Sequence, residues 1–271
     1  FLKEETRMKI LTISCHPDDI EIAAGGTIRK YADRGDEVTV CHVANGSQGH
    51  VVIQPDELRR IRIREACEGG KLMGAKQVIC MDVNDLEIDS NDQSLVTAMV
   101  EVIRYVQPDL IITHSPNDYM KDHVEVSRLA FDASFSATVP HFATKDYMKG
   151  KPFAMRRPVF DAQFDAAPPF ETGTAAFMHA FPPIFYMDTL AGVDFQPEHY
   201  VDITDQIEIK LQALDRHESQ TKWMLEHDHI DFCEMVRTCS KYRGYQCGVQ
   251  YAEGFIPCRA YPRMPVNGLL P

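Results

Sequence analysis

The chain has 271 residues, 44% hydrophobic and 25% charged, a globular composition with enough length for a sizeable core. Its 40 acidic residues against 28 lysines and arginines give a formal net charge of −12, which argues against a broad nucleic-acid surface. No run reaches the roughly 20 apolar residues of a membrane helix, so neither a nucleic-acid partner nor a membrane span is expected.

Eight cysteines stand at 15, 41, 67, 80, 233, 239, 247 and 258 without a CxxC pair. Scattered in this way, they read as reduced thiols of a cytoplasmic protein. The opening FLKEETRMKI is charged where a secretory signal would be apolar, and residues 1–7, ahead of Met8, read as an extension.

The first half then alternates short β-rich runs with helical patterns. Strands are predicted at Lys9–Ser14, Glu37–Val43, Gln77–Met81 and Asp109–Thr113. Helices are predicted at Gly26–Arg34, Pro55–Met73 and Ser94–Val106, and from near Asp122 through Ala130. Pro55 suits a first helical turn, while RGD at 34–36 and GAK at 74–76 suit returns to strand. This order predicts an α/β fold, a Rossmann-like and mostly parallel sheet with right-handed crossovers and helices on both faces.

Beyond residue 133 the periodicity weakens. Residues 133–183 read as long loops, Pro183–Met187 as a strand, and 202–220 (DITDQIEIKLQALDRHESQ) as an amphipathic helix capped by Thr204 or Asp205. A further helix is expected over His229–Cys239. No repeat or low-complexity linker divides the chain. One domain is expected, with a Rossmann-like core over 8–132 and an elaborated C-terminal half over 133–271 on the substrate side.

Ligands of open α/β sheets sit beyond the carboxyl ends of the strands. CHPDD (15–19) and HSPNDYMKDH (114–123) both follow predicted strands, so they are expected on one rim. Asp18 and Asp19 are adjacent carboxylates that repel each other, which calls for a positive partner, and a divalent metal is the first candidate. His-x-x-Asp on a tight loop lets His16 and Asp19 converge on one point and leaves Asp18 free for a water. A catalytic zinc takes three protein ligands and keeps an open position. His123, at the start of a helix, supplies a third, and Asp122 can orient a histidine from behind. Read singly, these residues are a strand-end cap, a helix cap and a solvated imidazole; two such clusters on one rim favour a site.

Other segments read more plainly. Gly25–Gly26 lacks the G-x-G-x-x-G of a dinucleotide loop and lets a helix pack close to the sheet. NGSQGH (45–50) lies on the same rim as a substrate loop or a polar turn. FPPIFY (181–186) reads as core packing, and His227 and His229 beside Asp228 as surface.

HPDDIEIAAGGTI resembles the HPDD(E)-x-x-x-GG signature of the PIG-L/LmbE-like zinc N-deacetylases. IRIREACEGGKLMGA (61–75) is similar to that family's Arg- and Glu-bearing helix, and PNDYMKDH to its Pro-x-Asp-x-His-x-Asp-His segment. KLQALDRHESQ and YAEGF (251–255) look like later landmarks. Position by position, the resemblance implies that His16, Asp19 and His123 bind Zn2+. It makes Asp18 the general base toward the metal's water, Arg62 a substrate-holding residue, and Asp122 the acid that supports the histidines. It implies a metal-dependent amidohydrolase that removes an N-acetyl group from an amino sugar or its glycoside, of N-acetylglucosamine type. It also implies a homo-oligomer, trimer or hexamer.

One position departs. Met120 stands where the family usually has a histidine that steadies the oxyanion or protonates the leaving amine, and a thioether does neither. Three readings follow. Another group substitutes, with His50, His114, His141, His179 and His217 to consider; the enzyme is slow; or the chain binds a sugar or metabolite, or cleaves a different amide or ester.

Overall fold

The computed structural model describes residues 7–263 and 269–271, so most of the extension ahead of Met8 lies outside the described residues. In chain order the first half runs β1 (Lys9–Ser14), α1 (Asp19–Arg34), β2 (Glu37–Ala44), α2 (Pro55–Leu72), β3 (Gln77–Val83), α3 (Gln93–Val106), β4 (Leu110–Thr113) and α4 (Lys121–Ser136). The second half adds α5 (Lys145–Met148), β5 (Val159–Phe160), β6 (Ile184–Met187), β7 (His199–Asp202), α6 (Ile207–Leu214), α7 (Glu218–His227), α8 (Phe232–Cys247) and β8 (Ala252–Pro257).

All eight strands form one sheet in the order β5-β3-β2-β1-β4-β6-β8-β7. Pairing is parallel from β3 through β2, β1 and β4 to β6; β5 and β8 run antiparallel to their neighbours. The mostly parallel α/β expectation therefore holds. β1 is buried along its length after Lys9, as a central parallel strand must be, and its side chains alternate between two cores. Leu11 and Ile13 pack with Met99, Ile103 and Val126 on the α3–α4 face, while Ile10 packs with Ile20, Ile28 and Leu211 on the α1–α6 face.

Several boundaries depart from expectation. α1 begins at Asp19, not Gly26, because the glycine pair lies inside the helix. A Cβ on Gly26 would stand 2.7 Å from the Ile203 side chain, so the glycine is set by close packing and not by a helix start. Its N–H and that of Thr27 donate to the Glu253 carboxylate at 2.8 and 2.7 Å. The single helix expected over 202–220 is two, α6 and α7, and Asp202 closes β7. Thr204 and Asp205 do not cap it; the Thr204 hydroxyl donates to Asp202, and Gln206 holds the N-cap position. α8 starts three residues later than expected and continues to Cys247. β5, β7 and β8 were not expected at all, being short segments whose order comes from pairing with distant strands.

β1 sits between β2 and β4, and the chain leaves it toward α1 on one side and returns to β4 on the other. The loops after β1 and β4 flank this switch in strand order, where α/β sheets bind ligands. All eight cysteines are free. No described helix is long and apolar enough to cross a membrane.

Candidate active site

The two loops bring His16, Asp18 and Asp19 from the β1–α1 junction beside His114, Asp118, Asp122 and His123 from the β4–α4 junction. Asp19 is the hub. Its Oδ2 lies 3.4 Å from His16 Nδ1, 3.3 Å from His114 Nε2 and 3.4 Å from His123 Nε2, and it accepts the His16 N–H at 2.6 Å. Burial works against the Asp19 charge, but the three imidazoles hold its carboxyl well below the usual range.

The imidazoles are not equivalent. His123 Nδ1 lies 3.0 Å from Asp118 Oδ2, and its Nε2 is buried without a hydrogen-bond partner. His16 presents Nδ1 to Asp19 and Nε2 to Asp122 Oδ2 at 3.6 Å. His114 Nε2 accepts the Cys15 N–H at 2.8 Å, and its ring stacks on His123 at 3.9 Å between centroids. A neutral His114 thus spends its lone pair on the backbone. A carboxylate behind each of His16 and His123, with the opposite nitrogen turned to Asp19, is the arrangement metal-ligating histidines require.

Donor atoms of Cys15, His16, Asp19 and His123 gather within 4.8 Å of one another. Burial pushes the Cys15 thiol up to about 12, and a sulfur ligand must be a thiolate, so the imidazoles and Asp19 are the readier donors. The unpartnered Nε2 of His123 and the donor chemistry of this set fit a divalent metal with nitrogen and oxygen ligands.

Asp18 stands apart from these donors. It caps α1 at φ 118°, a left-handed conformation that costs a non-glycine residue on the order of 1–3 kcal/mol. Arg62 holds it there, with Nη1 and Nη2 at 3.1 and 3.2 Å from Asp18 Oδ2, both side chains buried. Burial raises the Asp18 carboxyl above its ordinary range, while Arg62 pulls the other way. Arg62 has room because residue 46 is glycine at φ 73°, where a Cβ would lie 2.5 Å from the Arg62 Nε.

These residues line one cleft of about 290 Å³, bounded also by Gln48 and Gly49 of the NGSQGH loop and by Gln220. Asp85 fixes that loop, accepting the N–H groups of Gly46 and Gln48 at 2.9 Å each. Met120 faces the cleft, whereas His50, His114, His141, His179 and His217 do not line it. His217 is fully buried against Glu21, and His50 packs beside Trp223. No histidine among those considered takes the place vacated at Met120. FPPIFY contributes the buried Phe185 to the core, and His227 pairs with Asp228 in the open.

Residues 11–134 match the PIG-L profile, described as GlcNAc-PI de-N-acetylase. These residues carry a PIG-L domain. It is 27% identical over 259 residues to a diacetylchitobiose deacetylase of Thermococcus kodakarensis, covering 92% of this chain and 83% of the relative. The solved N,N'-diacetylchitobiose deacetylase of Pyrococcus horikoshii superposes with a TM-score of 0.67 at 26% identity, over 93% of this chain and 84% of that one. GalB, the 4-carboxy-2-hydroxymuconate hydratase of Pseudomonas putida, superposes with a TM-score of 0.71 at 22% identity over 96% and 99% of the two chains, a likeness of fold.

The sequence pointed to His16, Asp18, Asp19, Arg62, Asp122 and His123, and all six meet at the β1–β4 rim. It gave no role to Asp118, which stands behind His123, or to His114, which is spent on Cys15. The signal for Asp118 was its spacing: five residues before His123, across the turn that starts α4.

Proposed function

We propose that this protein is a zinc-dependent N-deacetylase acting on an N-acetylated amino sugar or its glycoside, with His16, Asp19 and His123 holding the metal. The observation that carries the reading is the buried, unpartnered Nε2 of His123, turned to Asp19 with Asp118 on the far nitrogen. The relatives named as diacetylchitobiose deacetylases supply the substrate class.

A divalent metal supplies Lewis acidity toward a water and an amide carbonyl. The chain's own residues do the rest. Asp18 accepts the proton of the attacking water, and a carboxyl raised by burial is a better base at neutral pH than a free one. Arg62 fixes that carboxylate toward the cleft, so in this reading it positions Asp18 as well as facing substrate. Asp122 and Asp118 hold the His16 and His123 rings in one tautomer and orientation.

A second reading is favoured by Met120. With no histidine there to protonate an amine, hydrolysis of an ester or an amide with a better leaving group makes fewer demands on the site.

Metal analysis of purified protein tests the ligand set. The reading expects one zinc per chain, lost from His16→Ala, Asp19→Ala and His123→Ala but kept in Asp18→Asn. A chain that folds and takes up no divalent metal would overturn it.

A further inference from the structure

Leu86 stands at the mouth of the cleft with 72% of its surface exposed. A lone exposed leucine is ordinary, but this one is held in place. Its backbone lies at φ 68°, a left-handed conformation that suits glycine or asparagine and disfavours leucine. Its N–H donates at 2.6 Å to Asp122 Oδ2, the same oxygen that faces His16. The preceding residue, Asp85, grips the N–H groups of Gly46 and Gln48 on the neighbouring loop. A disfavoured backbone conformation tied to the candidate metal centre therefore presents an apolar side chain to whatever enters. Such an outlier is a reason to look for function.

Apart from the amides of Gln48 and Gln220, the side chains around the entrance are mainly carbon. Met120 from the loop before α4, Leu190 from the turn after β6, and Phe232 from the start of α8 share the cleft with Leu86. The polar groups His123 and Asp18 are more deeply buried. The cleft is polar where bonds would break and predominantly apolar where the remainder of a substrate would lie, with Gln48 and Gln220 as the polar side chains there.

We infer that Leu86, Met120, Leu190 and Phe232 form an apolar collar that selects N-acyl amino-sugar substrates bearing an apolar chain or ring. The inference rests on the deacylase reading above and narrows its substrate. The apolar group is either the acyl chain or the aglycone, since both offer the collar the same chemistry. Each methylene seated there is worth about fourfold in affinity for the first few positions.

The test uses the zinc-loaded full chain in two arms. One compares N-acetyl-, N-butyryl- and N-hexanoylglucosamine; the other compares methyl, butyl and octyl glycosides of N-acetylglucosamine. Amine release gives kcat/KM, and calorimetry on the zinc-loaded Asp18→Asn protein gives Kd for the same compounds. The collar predicts a rise in kcat/KM of about fourfold per added methylene over the first steps of at least one arm, carried by a fall in KM and Kd more than by a change in kcat. Leu86→Asn, a residue that tolerates the left-handed backbone, flattens that rise, and Leu86→Gly does the same.

A flat or rising Kd together with a flat or falling kcat/KM in both arms, with N-acetylglucosamine cleaved, overturns the collar and leaves the deacetylase standing. A chain-dependent Kd with no cleavage of any compound keeps the collar and overturns the deacetylase. Neither binding trend nor cleavage overturns both.

Discussion

Asp118 Oδ2 lies 3.0 Å from Nδ1 of His123, and the other nitrogen of that ring is left without a partner, 3.4 Å from Asp19. The carboxylate fixes a proton on Nδ1 and so leaves the Nε2 lone pair to a metal. Asp118→Asn keeps the shape and loses the charge. Zinc affinity is expected to fall about 10–100-fold, measured by competition with a chelating dye. Unchanged affinity would remove Asp118 from the support of the site.

Asp18 separates chemistry from metal binding. Its carboxylate is paired with Arg62 and is not one of the gathered donors. Asp18→Asn should retain zinc and lose about 10²–10⁴ in kcat, the usual worth of a general base. Zinc content and turnover are measured on one preparation, and full turnover with full metal would exclude Asp18 as the base.

The metal-free protein should lose stability as pH rises. Burial disfavours a charged His123, but Asp19 and Asp118 outweigh it and raise the imidazole from 6.5 to about 9. A folded-state value above the unfolded one stabilises fully below about pH 6.5, and that contribution, on the order of 3 kcal/mol, is lost as pH rises to about 9. His42 has the opposite sign. Burial lowers it to about 4, so its contribution is lost as pH falls from 6.5 toward 4. Urea midpoints of chelator-treated protein should therefore peak near pH 6.5, and His123→Gln should flatten the alkaline limb. With zinc the alkaline loss should shrink, because metal and proton compete for the same nitrogens.

Met120 tests the leaving-group side. Met120→His puts an imidazole back into the cleft beside the Asp118–Met120 turn, where the Met120 N–H donates to Asp118. If protonation of the amine limits the wild-type rate, kcat on N-acetylglucosamine should rise by about 10-fold or more, with little change on an activated ester. A fall in both rates would mean that the thioether serves substrate binding.

Much of this arrangement could be read from local pattern. β1 was legible at both ends because its β-rich, mainly apolar run starts after the charged N-terminal residues and stops where His16 and Pro17 begin. The His16–Asp19 and Asp122–His123 segments were legible as partners because parallel strands put their carboxyl ends on one rim. β8 was not, since Ala252–Pro257 carries no strong alternation and gains its order from β6 and β7. The same strand supplies Glu253, whose carboxylate accepts two N–H groups inside α1, a contact spanning more than 200 residues. Close packing was legible in the glycine pair, but the start of α1 was placed at Gly26 because Ile203, which packs against that glycine, lies far along the chain. Nothing in the sequence singled out Leu86, for its left-handed backbone and its bond to Asp122 exist only in the folded chain.

The central claim is that a metal held by His16, Asp19 and His123 hydrolyses an N-acetyl amino sugar. Acetate release from N-acetylglucosamine and diacetylchitobiose, by one preparation before chelation, after chelation and after zinc is restored, tests it most directly. The account predicts release that chelation abolishes and zinc restores, and that His123→Ala does not show with zinc present. Release that survives complete removal of metal would contradict it.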